Sequence, residues 1–116
     1  MRFRLAPYCR VSSDSADQLH SFAAQIRYYG DYAKKHPEYQ LVDIYADEGI
    51  TGTEMKKRDE LKRLIADCKR GKVDRIIVKS VSRMARNTEE LLVMIRMFKD
   101  IGVSVYFEEQ ASTQKN

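Results

Sequence analysis

Apolar positions change their spacing several times along the chain, and each change marks an element. Residues 3–11 read as a first strand, with Phe3, Leu5 and Tyr8 as apolar members. Pro7 cannot donate a ladder hydrogen bond, so a bulge or a short strand is expected there. From Gln18 to about Lys35, apolar residues fall at Leu19, Phe22, Ala23, Ile26, Tyr29 and Ala33, which is helical spacing. His36-Pro37 ends that helix, because the residue before proline avoids helical angles.

A second strand is predicted over 41–46 (LVDIYA), followed by a loop over 47–57 rich in glycine and threonine. Arg58 or Asp59 opens a second helix, with Leu61, Leu64, Ile65 and Cys68 on one face and Gly71 as its C-terminal cap. Ile76-Ile77-Val78, within a strand over 75–79, is the unbroken apolar run of a strand covered on both faces. Asn87 caps a third helix, with Glu90 reaching back as a capping box. Its buried stripe is expected at Leu91, Leu92, Ile95 and Phe98, and Gly102 ends it. Residues 103–107 form the last predicted strand. Met84, Met94 and Met97 are expected in the core or at a helix contact.

The order β-α-β-α-β-α-β predicts an α/β fold: a mostly parallel sheet of four or five strands with helices on both faces. Ligands of such sheets gather at the carboxyl ends of the strands. Three polar loops should meet there, over 12–17, 47–57 and 80–87.

Composition adds bounds. At 116 residues the chain makes one domain. Hydrophobic residues make up 43% and charged residues 33% with the signs interleaved, so a packed globule is expected rather than disorder. A net charge of +4 is compatible with a nucleic-acid partner and shared by many other proteins. Two cysteines, Cys9 and Cys68, make no disulfide framework or zinc motif, and a cytoplasmic location is expected. No apolar run of about 18 residues suggests a membrane span. The polar tail over 112–116 suggests a fragment of a longer protein.

The usual dinucleotide, P-loop, zinc-protease and nucleophile-elbow motifs are absent. His20 and His36 are not placed for a Ser-His-Asp arrangement. Asp14, Asp17, Asp47, Glu48 and Asp74 have no spacing that specifies a metal site, so none is assigned. What remains is a serine among arginines. Tyr8-Cys9-Arg10-Val11-Ser12-Ser13 ends the first strand, Lys56-Lys57-Arg58 opens a helix, and Lys79-Ser80-Val81-Ser82-Arg83-Met84-Ala85-Arg86-Asn87-Thr88 follows the third strand. Guanidinium forks match the non-bridging oxygens of a phosphodiester, whose charge grows in the transition state. Each feature also has a plainer reading: Ser12 as a turn serine, and Arg58, Arg83 and Arg86 as solvated charge.

Taken together, these blocks resemble those of the serine recombinase (resolvase/invertase) catalytic domain. Tyr8-x-Arg10-Val11-Ser12 is similar to its opening motif. Asp47-x-Gly49-x-Thr51-Gly52 with Arg58-x-x-Leu61 is similar to its second block, and residues 79–88 are similar to its third. The wording is most like the large serine recombinases of mobile elements, and the resemblance runs from about Leu5 to about Gln110.

It implies site-specific DNA recombination, a mechanism without metal or cofactor, and a covalent 5′-phosphoserine intermediate. Ser12 would be the nucleophile, with Ser13 as the rival hydroxyl. Arg10, Arg83 and Arg86 would bind the phosphate, and Arg58 would join them. Gln25, Ser82 and Asp47 would hold supporting roles, although Ser82 stands where small resolvases carry an aspartate. The implied partner is double-stranded DNA, with homodimers and tetramers in the full-length protein. Residues 1–116 would be the catalytic domain without the long dimerisation helix or the DNA-binding regions, and therefore monomeric or weakly dimeric and inactive in recombination. The alternative is a non-catalytic α/β regulatory or phosphate-binding module. A receiver of that class needs acids at the first and third strand ends, where this chain carries Arg10 and Arg83.

Overall fold

The computed structural model describes residues 3–12, 21–49 and 58–109, with Ser12 and Gly49 described at the backbone only. Its elements are β1 (Phe3–Ser12), α1 (Phe22–Lys35), β2 (Tyr39–Leu41), β3 (Tyr45–Gly49), α2 (Asp59–Lys69), β4 (Arg75–Val78), α3 (Val81–Met84), α4 (Thr88–Asp100) and β5 (Ser104–Phe107). All paired strands are parallel, in the order β2-β1-β4-β5, with β3 also on β1.

The strand predicted over 41–46 is in fact two. β2 pairs with β1 at Phe3 to Leu5, and β3 pairs with it from Tyr8 to Ser12. This division accommodates Pro7. It falls in the interval between the two ladders, where neither needs its N–H, and is the last rung toward β4. β1 is therefore ten residues long rather than short. β3 also carries Asp47 to Gly49, predicted as loop, into the sheet.

Two apolar layers sandwich the sheet. Alternation along β4 sends Ile76 and Val78 to one face and Ile77 to the other, and all three are fully buried. Each such side chain contributes about 1.5–3 kcal/mol through burial. The first layer joins Ala6, Tyr8, Ile76 and Val78 to Leu61, Leu64 and Cys68 of α2 and to Met94 and Phe98 of α4. The second joins Leu5, Cys9 and Ile77 to Tyr29 of α1. Helices thus cover both faces, α2 and α4 on one and α1 on the other.

Two predicted stripes shift. On α4 Met94 and Phe98 are buried, whereas Leu92 is exposed, because it lies off the arc set by positions 91, 94 and 98. On α1 only Tyr29 is buried, and Phe22 and Ile26 are exposed; Leu19 lies outside the described residues. Gly71 and Gly102 follow the ends of α2 and α4 with positive φ, +76° and +81°, where a side chain would be strained. No helix among the described residues is long and apolar enough to cross a membrane.

Candidate active site

Parallel strands direct the ends of β1, β3 and β4 to one edge of the sheet, and the arginines of interest start there. Arg10 lies near the end of β1, opposite Asp47 of β3. Ser12 is the last residue of β1. Beyond β4, Ser80 takes extended angles and begins the single turn α3, which carries Arg83. Arg83 Nη1 donates to the Arg10 carbonyl at 3.3 Å, tying this turn to β1. A small cavity of about 20 Å³ lies at this junction, lined by Arg10, Gln25, Lys79 and Arg83 over a floor of Tyr8, Cys9 and Tyr29.

Asp47 proves to be structural in placement. It is buried, and accepts from the Tyr8 hydroxyl at 2.7 Å and from the N–H groups of Glu60 and Leu61 at 2.9 and 3.1 Å. Those two N–H groups open α2, whose cap position is Arg58, a residue that makes no side-chain capping bond. A carboxylate delivered from β3 thus caps α2, where the helix dipole favours negative charge. Burial, then Asp47, pushes the Tyr8 hydroxyl far above its ordinary value, against the opposing pull of Arg58 and Arg10.

Arg58 is not a solvated residue. Its side chain is only 12% exposed, and Nη1 pairs with Glu90 Oε1 at 3.2 Å. Its Nε and Nη2 are buried with no hydrogen-bond partner among the described residues. Glu90 also accepts from the Arg86 N–H at 2.9 Å and lies 4.0 Å from Arg86 Nε. The capping box is therefore offset by one residue: Asn87 accepts from the Glu90 N–H at 2.8 Å, but Glu90 reaches Arg86 rather than Asn87. The Arg86 backbone bond, with help from Arg58, holds the Glu90 carboxyl below the usual carboxylate range.

Arg83 is thus tied to the backbone of Arg10, and Arg58 and Arg86 meet at Glu90. Gln25 lines the small cavity with Arg10 and Arg83 from α1. Ser82 is exposed and shares a hydrogen bond of 3.1 Å with Ser80. It lies with Arg86, Asn87 and Thr88 along a neighbouring open groove of about 420 Å³. Ser13, His20, Asp14, Asp17, Thr51 and Gly52 lie outside the described residues. His36 stands at the opposite edge, bonded to the Tyr32 carbonyl at 2.9 Å. Asp74 is also remote, in an ion pair with Arg4 at 3.0 Å.

Some site contacts were not legible in the sequence. Tyr8 belongs to the first motif block and reads as an apolar core member, with no sign that its hydroxyl touches Asp47. Lys79 opens the third block and reads as a strand end, with no sign that it lines the cavity. Glu108 gave no signal at all, yet it accepts from Tyr28 and Tyr29 at 2.6 and 3.1 Å and so anchors α1 beside the cavity. Cys9, adjacent to Arg10, is chemically quiet: burial, then Glu108, pushes its thiol up to about 12 despite Arg83.

The family model of the resolvase N-terminal domain matches residues 5–116. A curated resolvase of Clostridium perfringens (strain 13 / Type A) is 32% identical over 102 residues, which cover 87% of this chain and 47% of that protein. The chain thus spans about half the length of the curated relative it matches. Among solved structures, a resolvase family site-specific recombinase from Streptococcus pneumoniae aligns with a TM-score of 0.75 at 28% identity, over 99% of this chain and 79% of that one. The N-terminal catalytic domain of TP901-1 integrase shares the fold, with a TM-score of 0.76 at 24% identity over 96% and 84% of the two chains. On its sequence and its parallel sheet, this chain belongs to the resolvase N-terminal domain family of serine recombinases.

Proposed function

We propose that this domain is the catalytic part of a site-specific DNA recombinase and that Ser12 is its nucleophile. The observation that carries the reading is the pairing of Arg83 with the Arg10 backbone and of Arg58 with Arg86 through Glu90, from three separate stretches of sequence, about the strand edge where β1 ends in Ser12.

In this mechanism the Ser12 oxygen attacks the phosphorus of a DNA phosphodiester. A serine–phosphate bond forms to the 5′ side, the bond to the 3′ oxygen breaks, and a proton ends on that oxygen to give a free 3′ hydroxyl. Charge builds on the non-bridging oxygens as the phosphorus becomes five-coordinate. Arg10, Arg83 and Arg86 meet it with planar, forked N–H donors, and Arg58 adds a fourth. Gln25 orients the same phosphate from α1, and Ser82 supplies a hydroxyl at the rim. Asp47 acts indirectly, by fixing the start of α2 next to Arg58. The guanidiniums supply the positive charge that a metal ion otherwise would, so the reaction needs no cofactor. Reversal of the attack by a new 3′ hydroxyl rejoins the strands.

The test uses the protein in its full encoded length with DNA carrying its own site. A covalent protein–DNA adduct should form with the wild type, be indifferent to a metal chelator, vanish with Ser12→Ala and persist with Ser13→Ala. An adduct surviving Ser12→Ala would move the nucleophile elsewhere.

A further inference from the structure

Glu90 is the point where the α4 cap and two of the arginines meet. Its backbone is fixed by Asn87, and its Oε1 is fixed by the Arg86 N–H. The same oxygen takes Arg58 Nη1 at 3.2 Å. The carboxylate is therefore ordered by the helix start before Arg58 arrives, unlike a surface ion pair that must order two long side chains for little return. Arg58 approaches it with the rest of its guanidinium buried, and Nε and Nη2 have no acceptor among the described residues. A buried charge with unsatisfied donors is costly, and it persists where the surrounding structure imposes it.

We infer that Glu90 is a positioning residue for the phosphate-binding arginines: its carboxylate, set by the α4 cap, holds one edge of the Arg58 guanidinium and leaves Nε and Nη2 to an incoming phosphate oxygen. The inference rests on the reading of Arg58 as a phosphate ligand. The opposite role, a resident anion that phosphate must expel, would require the oxygen on Arg58 to leave the Arg86 N–H as well. One planar fork has room for both partners, Glu90 on Nη1 and phosphate on the remaining donors.

The experiment is side-chain NMR of the 116-residue chain with inorganic phosphate as probe, following the Arg58 Nε–H and the Glu90 carboxyl carbon. In the wild type, phosphate should shift the Arg58 Nε–H and leave the Glu90 carboxyl in place. A carboxyl that moves in step with Arg58 would mean displacement and would overturn the proposal. In Glu90→Gln, which keeps an acceptor for the Arg86 N–H, exchange of the Arg58 Nε–H with water should quicken at least tenfold. Glu89→Gln, the same charge change on the same helical turn, should leave it unchanged. Equal rates in wild type and Glu90→Gln, with phosphate still felt at Arg58, would sink the positioning role alone. An Arg58 signal blind to phosphate would sink the ligand reading and this inference with it, while loss of the Ser12 adduct would touch neither measurement.

Discussion

The Tyr8 hydroxyl donates to the Asp47 carboxylate at 2.7 Å, and the same carboxylate receives the first N–H groups of α2. One buried acid thus joins β1, β3 and a helix start. The phenol holds the carboxylate, and the carboxylate holds the segment that begins with Arg58.

Asp47→Ala leaves the Tyr8 hydroxyl and two helix N–H groups without their acceptor, and should cost about 3 kcal/mol of stability. Tyr8→Phe removes one donor and leaves the carboxylate its two backbone partners, so about 1 kcal/mol is expected. Urea unfolding of both single variants and the double variant checks this. Because the two residues share a bond, the double variant should lose less than the two losses combined. Simple additivity would show that the bond does not operate.

This network also marks the limit of what was legible in the sequence. Strand and helix order followed from apolar spacing, and Ile76-Ile77-Val78 announced a strand covered on both faces. The three motif blocks placed Arg10, Arg58, Arg83 and Arg86 at one edge because parallel strands end on the same side. Spacing alone could not show that the strand over 41–46 divides, since Pro7 fixes that break in a neighbouring strand. Nor could it separate Leu92 from Met94, as α4 is rich in apolar residues on several sides. Side-chain partners across long intervals left no local trace. Tyr8 with Asp47, Arg58 with Glu90, and Tyr28 and Tyr29 with Glu108 are all of this kind.

The tyrosines predict a sensitivity to alkali. Burial is the first cause that raises the Tyr8 and Tyr29 hydroxyls above their ordinary value of 10.0, and the carboxylates they bond add to it. A folded value above the unfolded one favours the folded state at neutral pH. That stabilisation is intact below about pH 10 and is lost as pH rises, because only the unfolded chain ionises easily there. The melting temperature should therefore fall steeply above about pH 10. Tyrosinate absorbance should lag for the buried phenols and appear with unfolding. Full ionisation near pH 10 in a chain that stays folded would contradict the burial of these rings.

Both thiols should be silent in the native protein. Burial pushes Cys9 and Cys68 each up to about 12, so almost no thiolate exists at neutral pH. A colorimetric thiol reagent should find neither cysteine in the folded chain and both after denaturation. Because Cys9 borders Arg10, Cys9→Ser tests whether it takes part in chemistry, and DNA cleavage should survive it. Rapid labelling of native Cys9 would place a reactive nucleophile beside the arginines and reopen the assignment of Ser12.

Arg58 sets stability against activity. Its side chain is 12% exposed, one N–H group meets Glu90, and Nε and Nη2 meet no acceptor among the described residues. An apolar side chain of similar length removes the desolvation cost of the charge and of the unsatisfied donors. Glu90 is then left with the Arg86 N–H and enough solvent contact to stay ionised, at 31% exposure. Arg58→Met should therefore raise unfolding free energy by about 1–2 kcal/mol while abolishing strand cleavage, the pattern of a residue kept for function at the expense of the fold. Arg58→Ala should instead destabilise, because a cavity replaces the stem. Urea unfolding of the two variants beside the cleavage assay separates these effects. A methionine variant that unfolds more easily than the wild type would show that the buried guanidinium stabilises the domain and is not held there at a cost.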